Sequence, residues 1–176
     1  MLKFKILEYR DPYAPLPEHF GGERYAEGLV VEFYPDNGEK WVGNFLKSSN
    51  GSTDIIEHPD GRSIIVVASG AGYVIDPEKH SLVSVIGHLI GNIIPIPEFK
   101  EIIFEDLGLW LIAIGVEGVR WHTRRISWDG IRSLSRLGRT LYGEVRDPYD
   151  ESWHPFTVDL TNGDTEGGSY WEKAIP

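Results

Sequence analysis

The sequence has no cysteine and only one methionine in 176 residues. Without thiols there is no disulfide framework, no thiolate nucleophile and no cysteine-based zinc or iron–sulfur site. Basic residues are in deficit: 17 Lys and Arg stand against 27 Asp and Glu, a formal charge of −10. That balance opposes non-specific nucleic-acid binding, which needs a basic footprint. Long apolar runs are also missing. The richest stretch, Leu82 to Pro97, is broken by Gly87, His88, Gly91, Asn92, Pro95 and Pro97, and Leu109 to Val116 is shorter still. A membrane-spanning helix needs about 20 apolar residues, so no membrane association is expected. The opening Leu2-Lys3-Phe4-Lys5-Ile6-Leu7-Glu8 alternates apolar with charged residues and has no apolar h-region. A secretory signal is not expected there, and the simplest location is cytoplasmic.

The common catalytic signatures are absent. Gly70-Ala71-Gly72 is not followed by Gly-Lys-Ser/Thr, no serine sits in a G-x-S-x-G elbow, and no H-E-x-x-H occurs. The six histidines (19, 58, 80, 88, 122 and 154) are scattered singly, without metal-ligand spacing. No cofactor and no metal are therefore expected.

What is present points to strands. Apolar types reach 41% and aromatics 12%, enough for a core and too much for disorder. Gly (20) and Pro (11) are spread along the chain without marking a linker, so one domain over 1–176 is expected. Short runs rich in Val and Ile alternate with turns at Pro35-Asp36-Asn37-Gly38, Asp60-Gly61, Asp129-Gly130 and Thr161-Asn162-Gly163. Asn-Gly and Asp-Gly supply the positive φ angles of tight hairpins. The pattern predicts a mainly β domain, an antiparallel meander of about ten to thirteen short strands. At most one or two short helices fit, the candidates being 128–140 and 97–105. Ile64, Val66, Leu109, Trp110, Leu111 and Val158 are expected in the core, with Ile65, Val67 and Ile112 joining them in central strands. Ile64 to Gly70 also aligns with Leu109 to Gly115 at a spacing of 45 residues. Cores at Val31-Glu32-Phe33, Val74-Ile75-Asp76, Ile126-Ser127-Trp128 and Val158-Asp159-Leu160 superpose as well. Such spacing suits a small propeller-like arrangement of four-stranded units. A sandwich or barrel meander with Gly turns gives similar echoes.

The charge is unevenly distributed. Between Arg120 and Arg139 six arginines face one acid, Asp129; from Glu144 to Pro176 eight acids face two bases. The two stretches can neutralise each other across strands. Alternatively the arginines form an anion site. If 119–126 is a strand, Arg120, His122 and Arg124 share one face and are the candidate ligand-binding residues. Asp147, Asp150 and Glu151 form an acidic cluster around Pro148-Tyr149, read as a solvated loop, with acid–base or cation-binding work as the alternative. Asp159 to Glu166 resembles part of a calcium loop, but lacks the full twelve-residue pattern and reads as a hairpin turn. The six tryptophans (41, 110, 121, 128, 153, 171) are expected chiefly as anchors of the β core; Trp121 and Trp128 flank the Arg-rich run, where guanidinium–indole stacking is the alternative.

The C-terminal half carries a family resemblance. It lies in Gly108 to Ala113, Gly118, Trp121 to Gly130, Asp147, Trp153 to Gly163 and Gly167-Gly168-Ser169-Tyr170. Over roughly 108–170 the chain resembles a small family of uncharacterised bacterial all-β proteins. The resemblance implies a bacterial source and an all-β fold, and it carries over no catalytic residue.

Together these observations favour a non-enzymatic soluble binding protein. An acidic immunity- or inhibitor-type partner of a basic protein fits the charge. The rival class is a hydrolase or lyase acting on an anionic or sugar substrate through His122, Arg120 and Arg124, with a carboxylate from Asp147 or Asp150. A deep pocket with convergent polar groups would favour the enzyme, and a flat acidic face the binder. The partner and the oligomeric state stay open.

Overall fold

The computed structural model describes residues 3–8, 16–22, 26–36 and 38–170; Leu2, Asn37 and Trp171 lie outside them. Sixteen strands are formed among the described residues, more than the ten to thirteen expected. They are β1 (Lys3–Ile6), β2 (Glu18–Phe20), β3 (Gly28–Tyr34), β4 (Trp41–Leu46), β5 (Asp54–Glu57), β6 (Ile64–Ala68), β7 (Ala71–Asp76) and β8 (Ser81–Gly87). There follow β9 (Ile90–Ile96), β10 (Glu101–Asp106), β11 (Trp110–Gly115), β12 (Gly118–His122), β13 (Ile131–Leu137), β14 (Thr140–Arg146), β15 (Trp153–Asp159) and β16 (Thr165–Gly167). No α-helix forms among the described residues. The segment 97–105 yields one 3-10 turn, Pro97–Phe99, and 128–140 becomes a turn followed by β13, because Gly130 and Gly138 take positive φ.

The strands build four four-stranded sheets. The first has order β1-β3-β4-β2, with β2 running parallel to β4. The other three are plain antiparallel meanders: β5 to β8, β9 to β12 and β13 to β16. Their first strands begin at Asp54, Ile90 and Ile131, so the repeat is 36 and then 41 residues. The spacing of 45 read from sequence superposes β6, a second strand, on β11, a third strand. That offset of one strand is the correction: both are central, apolar strands, and apolar content alone cannot tell them apart. Ile126 to Trp128, one of the superposed cores, lies outside any strand.

The chain divides into two compact units, Met1–Ile90 and Gly91–Pro176. In the first, Val31, Phe33, Phe45, Ile64, Val66 and Ile75 are fully buried with Trp41 and Tyr73 beside them. In the second, Ile96, Ile103, Leu111, Ala113, Val145 and Val158 fill the core with Trp121 and Phe156. Ile65 and Val67 are also fully buried, since all five positions of β6 are covered. Leu109, Trp110 and Ile112 depart from expectation and are only half-buried. Leu109 closes the β10–β11 turn, its N–H donating to the Asp106 carbonyl, and Trp110 is the first residue of its strand.

Two glycines are required by close approach. Gly163 sits at φ +81, where a Cβ would lie 2.7 Å from the Trp121 ring. Gly70, at φ +98, leaves 2.6 Å between such a Cβ and the Asn50 carbonyl oxygen.

Candidate functional site

β12 ends at His122, so Arg124 lies just beyond the strand rather than on it. Burial still alternates: Trp121 and Thr123 are buried, while Arg120, His122 and Arg124 are exposed. Their guanidinium groups do not converge. Arg120 reaches across β11 to Glu101 on β10, a carboxylate whose side chain is 2% exposed. Arg124 donates to the Gly167 carbonyl at 3.0 Å, and His122 Nδ1 lies 3.3 Å from the Thr123 carbonyl. The other arginines of the run are engaged too. Arg132 pairs with Glu144 at 3.0 Å, Arg136 pairs with Glu98, and Arg139 lies 4.1 Å over the Phe99 ring. Of these acids only Glu144 comes from the acidic C-terminal stretch; Glu98 and Glu101 precede the basic run in sequence.

Trp128 does meet an arginine. Arg125 stands 4.8 Å from the Trp128 ring centroid and 4.6 Å from that of Tyr170. Arg132 covers Trp153 at 3.8 Å. Trp121, by contrast, is buried and donates its Nε1–H to the Leu160 carbonyl at 3.1 Å.

The loop 147–152 gathers Asp147, Asp150 and His154, whose ligand-capable atoms lie within 4.8 Å of one another. Ser152 Oγ lies 2.6 Å from Asp150 Oδ1 and 2.8 Å from His154 Nε2, while Asp147 Oδ2 is 3.9 Å from that same nitrogen. A nucleophilic relay needs acid and hydroxyl on opposite ring nitrogens. Here both approach Nε2, so the serine is not activated. The Ser152 hydroxyl and N–H hold the Asp150 carboxyl below the usual carboxylate range. The carboxylates serve the turn itself, Asp147 accepting from Tyr149 N–H and Asp150 from Ser152 N–H, each at 2.9 Å. Asp159 does the same for Thr161 N–H at 2.8 Å, as the hairpin reading expected.

The first unit holds a feature the sequence reading missed. Asp36, Asp60, Asp76 and Glu78 line a half-open groove of about 530 Å³ together with Arg62, Lys79 and Val83. Three turns bring them together: β3–β4 supplies Asp36, β5–β6 supplies Asp60, and β7–β8 supplies Asp76 and Glu78. Burial opposes ionisation of Asp60, but N–H groups of Ser63 and Arg62 and the Ser63 hydroxyl outweigh it and lower its pKa. Asp76 behaves likewise, with Lys79 Nζ at 3.0 Å and the N–H groups of Lys79 and Glu78 as donors. Glu78 Oε1 accepts from Asp36 N–H at 2.7 Å. A signal existed in the sequence. In an up-and-down meander every second turn falls at the same end of the sheet, which joins Asp60-Gly61 and Asp76-Pro77 of β5 to β8; Pro35-Asp36 reaches the groove from the first sheet.

No family model matches the chain, and no curated protein matches it. Solved structures do resemble it. The dihydro-heme d1 dehydrogenase NirN, solved in complex with DHE, superposes with a TM-score of 0.50 at 15% identity, over 81% of this chain and 32% of that one. BamB from Moraxella catarrhalis gives 0.48 at 11% identity, over 80% and 48%. A eukaryotic initiation factor gives 0.42 at 12%, over 81% and 40%. The chain thus spans less than half the length of each. At such identity the likeness to NirN concerns the fold alone. It agrees with the repeated four-stranded meanders: the fold is mainly β, with 57% of the described residues in strands, and propeller-like.

Proposed function

We propose that the chain is a non-enzymatic binding protein for a basic partner, of the inhibitor or immunity type, which docks at the groove of the first unit. One observation carries this reading: three separate turns place four carboxylates around one half-open groove, against only Arg62 and Lys79. Hydrogen bonds lower the pKa of Asp60 and Asp76, so both stay charged at neutral pH. Partly exposed ion pairs each contribute about 0–1 kcal/mol, so the groove acts more on association rate and partner choice than on raw affinity. The rival hydrolase or lyase reading needs Arg120 and Arg124 to be available to a substrate. The buried Glu101 carboxylate and the Gly167 carbonyl occupy them instead.

Titration of the protein with fluorescein-labelled oligolysine tests the proposal. Affinity should fall about tenfold between low and moderate salt, as screening of exposed charges requires. Asp36→Asn with Glu78→Gln, whose amide oxygen still accepts from the Asp36 N–H, should weaken binding several-fold and leave the unfolding midpoint in place. Equal affinity in wild type and variant, at every salt concentration, would refute it.

A further inference from the structure

A strand at the end of a sheet offers unpaired N–H and C=O groups, and proteins blunt such edges with charge, proline, brevity or bulges. The end strands here mostly follow that rule. β1 carries Lys5; β2 and β16 are three residues long and carry Glu18 and Glu166; β5 has four residues, with Asp54 and Glu57. β9 holds Pro95, β12 has Arg120, and β13 carries Arg132 and Arg136. β8, at the end of the second sheet with only β7 beside it among the described residues, is guarded by bulges alone. Its seven residues, Ser-Leu-Val-Ser-Val-Ile-Gly, include no charge and no proline. Leu82 is 42% exposed, Val83 59% and Val85 46%. Leu82 and Val85 stand opposite Ile75 and Tyr73 in the register, while Val83 lines the acidic groove.

We propose that β8 seats an extended partner segment in which apolar and basic side chains alternate. The apolar side chains cover Leu82, Val83 and Val85, and the basic ones reach Asp36, Asp60, Asp76 and Glu78. This rests on the groove being a docking site for a basic partner, and adds to it the shape and apolar content of what docks. Charge complementarity selects the occupant: four carboxylates stand against Arg62 and Lys79 around the groove, so a purely apolar strand would leave the net negative charge unmatched, and a purely basic one would leave the valines in water. Two register shifts break the β7–β8 ladder, one on each side of Ser84–Val85. Main-chain pairing is therefore confined to short pieces, and side-chain contacts carry most of the specificity. At about 3.3 Å per residue the strand accommodates a segment of about seven residues.

Two labelled peptides of equal charge separate this from the groove reading, one alternating Lys and Val, the other Lys and Ser. The Lys-Val peptide should bind about tenfold more tightly, since it buries several additional methyl groups. Leu82→Ser with Val85→Ser, neither of which lines the groove, should abolish that preference without weakening Lys-Ser binding. These positions are exposed, and Val85→Thr, which keeps the branched strand-forming shape, gives a second variant in case the first disturbs the fold. Equal affinity for the two peptides would overturn the role of β8 and leave the groove reading intact. Failure of both peptides to bind would overturn the two together.

Discussion

The first unit packs Phe20, Phe33, Trp41, Phe45 and Tyr73 into its core and leaves Tyr34 exposed. Phe33 stacks on Trp41 at 4.4 Å, Phe20 on Phe45 at 4.9 Å, and Phe45 tilts against Tyr73 at 5.5 Å. The second unit fills its core largely with aliphatic side chains and leaves Trp128, Trp153, Tyr170 and Phe99 half-buried under arginines. Carboxylates follow the opposite rule. Among the described residues of the first unit the groove carboxylates sit at turns and those on strands, Glu18, Glu32, Asp54 and Glu57, are exposed or half-buried, whereas β10 of the second buries Glu101, Glu105 and Asp106 within the sheet. Two units of similar strand content thus assign the same residue types to opposite places. Strand pattern therefore fixes the sheets but leaves open which chemistry reaches the surface.

The sharpest break in the comparison is truncation of a ring. Phe33 is fully buried between Trp41 and Phe45, so Phe33→Ala should cost about 3–5 kcal/mol, the range for removing a buried Phe. Leu111, equally buried in the aliphatic core, should cost about 2–5 kcal/mol on truncation to Ala. Urea unfolding of both variants measures this. A loss under about 1 kcal/mol for Phe33→Ala would mean that the stacked rings repack around the gap.

Arginine substitutions come next. Glu101 Oε1 is held by Arg120, and Oε2 is buried without a partner. Arg120→Gln removes the cation paired with the buried Glu101 carboxylate and should cost about 1–3 kcal/mol. Arg124→Gln gives up hydrogen bonds to carbonyls at an exposed site and should stay within about 0.5 kcal/mol. Equal effects of the two would remove the distinction between a structural and a surface arginine.

That distinction was only partly legible in the sequence. The turn Asp60-Gly61 placed β5 and β6 correctly, because positive φ is a local demand that glycine meets; Asp129-Gly130 led into β13, but Ile126 to Trp128 before it formed no strand. The alternation of Arg120, His122 and Arg124 with Trp121 and Thr123 was likewise local. The partner of Arg120 was not: Glu101 lies 19 residues away on the second strand over, and a single sequence carries no register for such a pair. The groove escaped for the same reason, since its carboxylates meet only once alternate turns of β5 to β8 are counted and Asp36 joins them from the first sheet. The apolar edge of β8 lay inside the longest apolar stretch, where nothing local separates an edge strand from a central one.

Titration sharpens the contrast between the carboxylates of the two units. Burial raises the Glu105 pKa against the hydrogen bonds that Asn92 donates, and the neighbouring Asp106 carboxylate raises it further. Its folded form holds the proton more tightly than the unfolded chain. Stability therefore falls as pH rises from the ordinary Glu value through the raised one, and the deficit persists above it. Asp60 and Asp76 act in the opposite direction. Their lowered pKa values contribute stability above the ordinary Asp value, and that stability is lost as pH falls through their folded pKa values. Glu105→Gln, whose amide oxygen still accepts from Asn92, should raise the urea midpoint at neutral pH and flatten the decline on the alkaline side. Asp60→Asn should flatten the acid side only. A Glu105→Gln variant with an unchanged profile would show that this carboxylate is solvated in the native state.

The smallest effect expected concerns the rings under arginines. Arg132 lies 3.8 Å over the Trp153 ring and pairs with Glu144 at 3.0 Å. Arg132→Lys keeps the positive charge and lets the ion pair with Glu144 re-form, but replaces a planar group that lies flat on an indole with a compact, strongly hydrated ammonium. The loss should be about 0.5–1 kcal/mol, the range of an exposed cation–π contact. Salt distinguishes the two contributions. Screening weakens the ion pair in wild type and variant alike, so a difference due to the ring contact should survive in concentrated sodium chloride. Indole fluorescence provides a second readout, since uncovering Trp153 should shift its emission to the red. If the stability difference vanishes with salt and the emission does not move, then Arg132 acts through Glu144 alone, and ring covering is incidental to the second unit.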